Sequence, residues 1–366
     1  MNSKSSTAPP LEFCKIDGSL DTGELLERIR EILIEGGSHN AASFSEQNWA
    51  WQYKNLPTHD ARIYLCVCEG KIVGYYHVPV YEGVIDDEKK FFAMVQDVAV
   101  SASMRGRSVF RKLAEFATND LTNSDINLIY TFPNQKSIHT FLKYNGYKQV
   151  YIYDSYVLPV NSAALITSKF KLFGAENPVG WLVDKYFDLR SRQTAGDYKV
   201  EKKEQFDEEI TGLFQDFNSK FFCRLNRTTD FLQWRFFEKP VGKHFLITLR
   251  SGSRLSAAAV FKLDEILNAK TAVALDFAFK DELHLAQLFH FVRKNDVSLF
   301  GEKINMLFTA CCCSKFLQNK LYGFVKIPQR FNPRPLNLLV KNITEDEGKV
   351  LNNENWLALL SDWDVL

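Results

Sequence analysis

The chain states one pattern twice. Trp51 stands six residues before Pro57, and Trp234 stands six before Pro240. Each pair is followed by a hairpin signal with a glycine in its turn, Gly70 and then Gly252. Asp97 interrupts the apolar run Val95-Gln96-Asp97-Val98-Ala99-Val100, and Asp276 interrupts Ala274-Leu275-Asp276-Phe277-Ala278-Phe279. Gly146-Tyr147 returns as Gly323-Phe324. The displacement is 183 residues at the tryptophans and 177 at the closing glycines. So small a drift predicts a duplication: two copies of one domain, each with its own core. A length of 366 residues suits two domains, and 46% hydrophobic residues suffice for both cores.

In the first copy, Phe91 to Tyr147 carries the chemistry. Phe91–Val100 is a short, β-branched apolar run that reads as a strand. Ser101-Ala102-Ser103 breaks it and Met104-Arg105-Gly106-Arg107-Ser108-Val109-Phe110 follows. Leu113, Phe116, Ala117 and Leu121 then recur at helical spacing up to Asn123. A second strand, Ile126–Phe132, leads to Pro133-Asn134, which opens a short helix ended by Gly146. A strand, a basic glycine-containing turn and a helix start together suit an anion. The first N–H groups of a helix lack intrahelical partners, and the dipole adds roughly half a positive charge there. Gly106 lets the backbone approach a ligand, and Arg105 and Arg107 add charged donors, as a pyrophosphate would need. A tight turn with two solvated arginines would use the same residues.

Neither a Walker loop nor a Gly-x-Gly-x-x-Gly turn occurs. Val98-Ala99-Val100 followed by Arg105-Gly106-Arg107-Ser108-Val109-Phe110 instead resembles motif A of the GNAT acyltransferases, with Ser108 where that family usually has Gly and Phe110 where it has Gly or Ala. Phe132-Pro133-Asn134 through Gly146-Tyr147 is similar to the family's next motif. The resemblance covers about residues 11–160 and implies an α+β class, a tandem GNAT fold of two splayed mixed sheets flanked by helices. It implies acetyl-CoA or another acyl-CoA as cofactor, with no metal. The cofactor would lie on Val98, Ala99, Val100, Arg105, Gly106, Arg107, Ser108, Val109 and Phe110, with Asn134 and Ser137 as side-chain contacts.

The second copy lacks the working turn. After Phe279 the chain runs Lys280-Asp281-Glu282-Leu283 into a helix, with no glycine and two carboxylates that would repel phosphate. The expected organisation is a disordered tail (1–10), a GNAT domain (11–160), a helical bridge (161–200) and a degenerate GNAT-like copy (201–366) that shapes the acceptor site. The bridge holds basic and aromatic residues broken at Gly174 and Asn177-Pro178, which predicts two short helices. A helix over Asp21–Ile34 stopped by Gly36-Gly37, and strands Ala61–Cys68 and Ile72–Val80 joined at Glu69-Gly70-Lys71, complete the first copy.

For catalysis the candidates are Asp97, His139 and Tyr144. Asp97 is an acid in an apolar strand and so a possible general base, yet Asp276 matches it in the copy without a cofactor, which favours a shared structural role equally. Leu142 occupies the place of the tyrosine acid of many GNAT enzymes, with His139 and Tyr144 close in sequence. Histidine is the residue type suited to moving a proton near neutral pH, and His139 also reads as a surface histidine.

A net charge of +1 announces no nucleic-acid or anionic-membrane partner. No apolar run is long enough to span a bilayer. Seven cysteines without a C-x-x-C pair, including Cys66, Cys68 and Cys311-Cys312-Cys313, read as reduced thiols, which predicts a cytoplasmic protein.

For the acceptor, Arg227 with Phe231, Leu232, Trp234 and Arg235, and the tail Trp356 to Asp364, resemble tandem GNAT proteins of bacterial surface-polysaccharide pathways. That resemblance implies N-acylation of a nucleotide-linked (dTDP or UDP) deoxyamino sugar for O-antigen or capsule. Arg227, Trp234 and Arg235 would grip its diphosphate and base. Trp234 also reads as a core residue, since Trp51 repeats it. An aminoglycoside, peptide or lysine acceptor, or a non-catalytic acyl-CoA-binding protein, are the alternatives. A monomer or homodimer is expected.

Overall fold

The computed structural model describes residues 9–16, 22–35, 45–170, 178–192, 196–312, 323–332, 335–342, 344 and 346–363. The expected tail up to Ala8, the Gly36-Gly37 stop, the breaks at Gly174 and Asn177, Cys313 and Asp364 lie outside them.

The strands are β1 (Glu12–Ile16), β2 (Ala61–Cys68), β3 (Lys71–Ile85), β4 (Glu88–Val100), β5 (Leu128–Thr131), β6 (Lys148–Ile152), β7 (Asp154–Pro159) and β8 (Lys199–Lys203). They continue with β9 (Cys223–Leu225), β10 (His244–Ser251), β11 (Arg254–Ile266), β12 (Ala269–Phe279), β13 (Met306–Cys311), β14 (Val325–Ile327), β15 (Asn337–Asn342) and β16 (Trp356–Leu357). Two mixed sheets result, with one strand order stated twice. The first runs β1-β2-β3-β4-β5-β15-β6 and the second β8-β10-β11-β12-β13-β7-β14. In each, one central pair is parallel, β4 with β5 and β12 with β13.

The duplication reaches into local detail. The helices Glu46–Tyr53 and Thr229–Phe236 are eight residues each, and Ser45 and Thr228 cap them in the same way, accepting from the N–H of Asn48 and of Phe231. The turns between the long strands match too. Asp86-Asp87 and Leu267-Asn268 all take positive φ, the twist a two-residue hairpin turn needs. Glu69-Gly70 does the same between β2 and β3, as its turn signal predicts.

The expected boundaries need correction. β15 pairs antiparallel with β5, from Leu339↔Thr131 to Asn342↔Leu128, and β7 pairs with β13, from Met306↔Pro159 to Cys311↔Asp154. The compact units follow this exchange. One comprises the chain up to Gly83 with Lys89–Val150 and Asn337–Leu351; the other comprises Val84–Glu88 with Tyr151–Leu336 and Asn352–Leu366. A division at 160 and 201 therefore assigns the two equivalent strands to the wrong units. Strand alternation says which face a residue takes, not which of two similar sheets receives the strand.

In the first unit, helices cover both faces of the sheet. The helix Val109–Thr122 buries Val109, Leu113, Ala114, Ala117 and Leu121 with Tyr64, Cys66, Cys68, Tyr76, Ala93 and Val95. The helix Thr22–Glu35 buries Leu25, Leu26, Ile29 and Ile32 on the other face, with Trp49, Tyr53, Ile63, Leu65 and Tyr75. In the second unit, the bridge forms the expected two helices, Ser162–Phe170 and Pro178–Arg192. They approach so closely that a Cβ on Gly180 would lie 2.4 Å from the Ala163 Cα. Among the described residues, no helix is long and apolar enough to cross a membrane.

Candidate active site

β4 and β5 part company inside the first sheet. They pair over Phe92–Val95 and Leu128–Thr131, and the Thr131 hydroxyl closes the last rung by donating to the Val95 carbonyl at 2.9 Å. Beyond that point Asp97, Val98, Ala99 and Val100 are half-buried on β4. The strand edge there can meet a ligand's amide or thioester carbonyl with its own backbone groups.

The turn at the end of β4 has the geometry of an anion seat. Eight residues, 101–108, separate β4 from the helix Val109–Thr122. Gly106 takes φ +81° with open space where a Cβ would be, and Ser108 takes φ 56°. The first intrahelical bond runs from the Lys112 N–H to the Ser108 carbonyl, so the N–H groups of Val109, Phe110 and Arg111 lie ahead of it. The first turn holds no acidic residue. Arg105 is exposed beside the turn. Arg107 differs from expectation: its guanidinium turns back onto the Pro9 carbonyl and lies 3.5 Å from the Cys68 Sγ. Phe110 packs edge-on against Phe141 at 5.7 Å rather than crowding the turn.

The neighbouring helix, Ile138–Tyr144, brings up the other predicted residues. Asn134 and Ser137 are turned on each other: the Asn134 Oδ1 accepts from the N–H of Lys136 (2.9 Å) and of Ser137 (3.1 Å). His139 and Tyr144 are exposed, with ring centroids 6.1 Å apart. The Arg111 guanidinium stacks 5.4 Å from the Tyr144 ring, which places Tyr144 beside the first turn of the helix Val109–Thr122.

Asp97 lies in a different cluster. Its backbone has φ 44°, a left-handed conformation that costs a non-glycine residue about 1–3 kcal/mol and persists only where its surroundings hold it. The Tyr53 hydroxyl donates to the Asp97 Oδ2, and the Gln96 Nε2 donates to the Tyr53 oxygen at 3.0 Å. The His77 ring stands 4.7 Å from Tyr53 and 5.1 Å from Tyr75. His77 is fully buried, which pushes its pKa down to about 3 and keeps it neutral. Burial, and then the Asp97 charge, push the Tyr75 hydroxyl up. The sequence singles out Asp97 here, but not Tyr53, His77 or Gln96. A residue-by-residue comparison of the two copies carries the signal for these three.

The second copy is closed at every matching place. β12 and β13 pair over Thr271–Val273 and Met306–Phe308, and Thr309 donates to the Ala274 carbonyl as Thr131 does to Val95. Beyond that rung, the chain's own C-terminal segment fills the edge. Leu359 bridges to Cys311, and the Cys312 N–H donates to the Ala358 carbonyl at 2.9 Å. Leu275 to Phe279 are all buried. The eight-residue turn shrinks to Lys280 and Asp281, and the Asp281 carboxylate caps the helix by accepting from the His284 N–H. Isothermal titration with acetyl-CoA is therefore expected to give one site per chain. A stoichiometry near two would mean that the C-terminal segment is displaced by ligand.

The predicted acceptor residues belong to that closure. Arg227 is fully buried, with its Nε 3.0 Å from the Asp276 Oδ2 and its Nη1 2.7 Å from the Asp362 Oδ1. Its Nη2 also donates to the Ser361 hydroxyl at 3.1 Å. Arg235 is 6% exposed and donates to the Trp363 carbonyl, and Trp234 is 2% exposed. These three are core residues of the second unit. A buried guanidinium already committed to two carboxylates offers no grip on a diphosphate.

The fold and a family match agree on what these parts belong to. Residues 38–150 match the acetyltransferase (GNAT) domain family. No curated protein sequence matches the chain. Among solved structures, a probable N-acyltransferase of Enterococcus faecalis V583 is similar with a TM-score of 0.62 at 10% identity, over 91% of this chain and 72% of that one. A GCN5-related N-acetyltransferase of Anabaena variabilis is similar with a TM-score of 0.61 at 10% identity, over 93% and 75%. The N-myristoyltransferase of Saccharomyces cerevisiae, solved with bound myristoyl-CoA, is similar with a TM-score of 0.56 at 13% identity, over 92% and 84%. Residues 38–150 thus match the acetyltransferase (GNAT) domain family, and the fold of the chain is similar to that of these acyltransferases.

Proposed function

We propose that the first unit transfers an acyl group from acyl-CoA directly to an amine, with Asp97 as the proton acceptor. The observation that carries this reading is the parting of β4 from β5 beyond Val95, between a turn with the geometry of an anion seat at one end and, on the same strand, Asp97 with its backbone at positive φ. Gly106, the open N–H groups of the helix start and Arg105 would hold a pyrophosphate, and Val98 to Val100 would align the arm that follows it. Acyl-CoA supplies an activated thioester, so the protein's task is alignment and one proton. Alignment alone can lower the barrier by roughly 7–11 kcal/mol.

For the acceptor, we propose the amino group of a nucleotide-linked deoxyamino sugar, from the resemblance at residues 227–235 and 356–364. The burial of Arg227 and Arg235 removes the diphosphate grip expected of them, so the sugar's amine and hydroxyls must carry recognition. Incubation with acetyl-CoA and a panel of amines, following thiol release, tests the reading. Release that depends on a nucleotide amino sugar is expected, and Asp97→Asn should lower kcat by about 10²–10⁴-fold. Release with an aminoglycoside, a peptide or lysine would move the acceptor class. No release with any amine would leave a protein that binds acyl-CoA without turning it over.

A further inference from the structure

The two copies disagree most usefully around the acid they share, Asp97 in one and Asp276 in the other. Tyr53 ends a helix whose counterpart ends at Phe236. His77 pairs with Ile63 on β2, and the matching Leu246 on β10 pairs with Val260. Gln96 precedes Asp97 as Leu275 precedes Asp276. So the closed copy has phenylalanine, valine and leucine where the open copy has a phenol, an imidazole and an amide. Phe236, Val260 and Leu275 are all buried, which shows that the fold accepts apolar side chains at these three places.

The open copy keeps its polar groups at a cost. Both ring nitrogens of His77 and the Gln96 Oε1 are buried without a hydrogen-bond partner. Leaving such groups unsatisfied is unfavourable, and the open copy does so at two atoms of His77, which packs on Tyr53, and at one of Gln96, next to Asp97. Two bonds run in one direction, from the Gln96 amide to the Tyr53 oxygen and from the Tyr53 hydroxyl to Asp97. A donor chain of that kind fixes which way the tyrosine proton points. Asp276 is treated differently, being tied to the Arg227 guanidinium.

We propose that Tyr53, His77 and Gln96 are positioning residues for Asp97, holding its carboxylate ready to take the proton of the attacking amine. This rests on the acyl-transfer reading. In that step the amine nitrogen bonds to the thioester carbonyl carbon and the C–S bond breaks with its electron pair on sulfur. The amine's proton passes to Asp97 and from there to the departing thiolate, so that one amide and one free thiol result. Tyr53 supports the carboxylate with a neutral hydroxyl, which leaves it basic, whereas the arginine in the closed copy would hold it as a spent ion pair.

The test gives the open copy the closed copy's residues: Tyr53→Phe, His77→Val and Gln96→Leu. Each variant should fold, because the other copy accepts an apolar side chain at each place; the melting temperature should hold in His77→Val and Gln96→Leu, and fall by a few degrees at most in Tyr53→Phe, which takes a partner from Asp97 and from Gln96. The KM for acetyl-CoA should stay within about twofold, while kcat falls by about tenfold or more in Tyr53→Phe and in His77→Val. Unchanged kcat in all three variants overturns the proposal. So does a lowered melting temperature with kcat and KM moving together, since that marks a structural role. Failure of the underlying reading looks different: the parent itself then releases no thiol with any amine, and the proposal falls with it.

Discussion

Arg227→Ala is expected to destabilise the second unit by about 3–5 kcal/mol, a large share of the roughly 5–15 kcal/mol that holds a typical domain together. The substitution leaves Asp276 and Asp362 facing each other in a dry core, with Asp276 fully buried. Burial already pushes the Asp276 carboxyl above its ordinary value, against the pull of Arg227, while Arg227 itself is pushed up by the two acids. Taking these charges out of water costs much of what their attraction returns, so a buried ion pair is a modest source of net stability. Removing one partner is nonetheless expensive. The sign of the pH dependence follows. A carboxyl whose folded pKa lies above its unfolded value binds its proton more tightly when folded, so its penalty grows as pH rises through that window and shrinks below it. The variant's deficit in urea denaturation should therefore be smaller near pH 4 than at pH 7. Replacing Arg227, Asp276 and Asp362 together by apolar residues of similar volume should recover most of the loss. A stable Arg227→Ala protein with a weakened acceptor KM would instead restore the arginine to the substrate.

The arginine also shows where sequence reasoning stops. Beside Phe231 and Trp234 it has the look of a ligand grip, because aromatics near a guanidinium serve both purposes. What decides between them is the position of Asp276 and Asp362, 49 and 135 residues away, and no local pattern reports that. The strand exchange is hidden for a related reason. β7 and β15 occupy equivalent places in the repeat, so the sequence is equally consistent with each strand staying at home. By contrast, β2, the helix Val109–Thr122 and the hairpin at Glu69-Gly70 are legible, since their signals are local: alternation, helical spacing and a glycine with positive φ. The duplication is legible as well. Its best use lies in the mismatches, and Tyr53 against Phe236 or His77 against Val260 becomes visible only once the register of the two sheets is known.

Gly106→Asp should abolish acyl-CoA binding and leave the fold intact. A Cβ at this position would meet no other atom within 4 Å, so a side chain fits, and aspartate visits positive φ more readily than most residues. The backbone conformation therefore survives. The charge is another matter. A carboxylate about 4 Å from a phosphate repels it by about 4 kcal/mol at the effective dielectric of a protein surface, which corresponds to roughly a thousandfold in Kd. The new acid would also compete with the ligand for the N–H groups of Val109 and Phe110, much as Asp281 occupies the helix start of the closed copy. Gly106→Ala separates the causes. It brings the backbone strain without the charge, and should weaken binding by about tenfold, the equivalent of about 1.4 kcal/mol and within the roughly 1–2 kcal/mol that an alanine pays in a left-handed conformation. Calorimetry with CoA on both variants reads the difference. Equal affinity in the two would move the phosphate seat away from the turn after β4, and with it the alignment of the acyl group against Val98 to Val100 on which the direct-transfer mechanism depends.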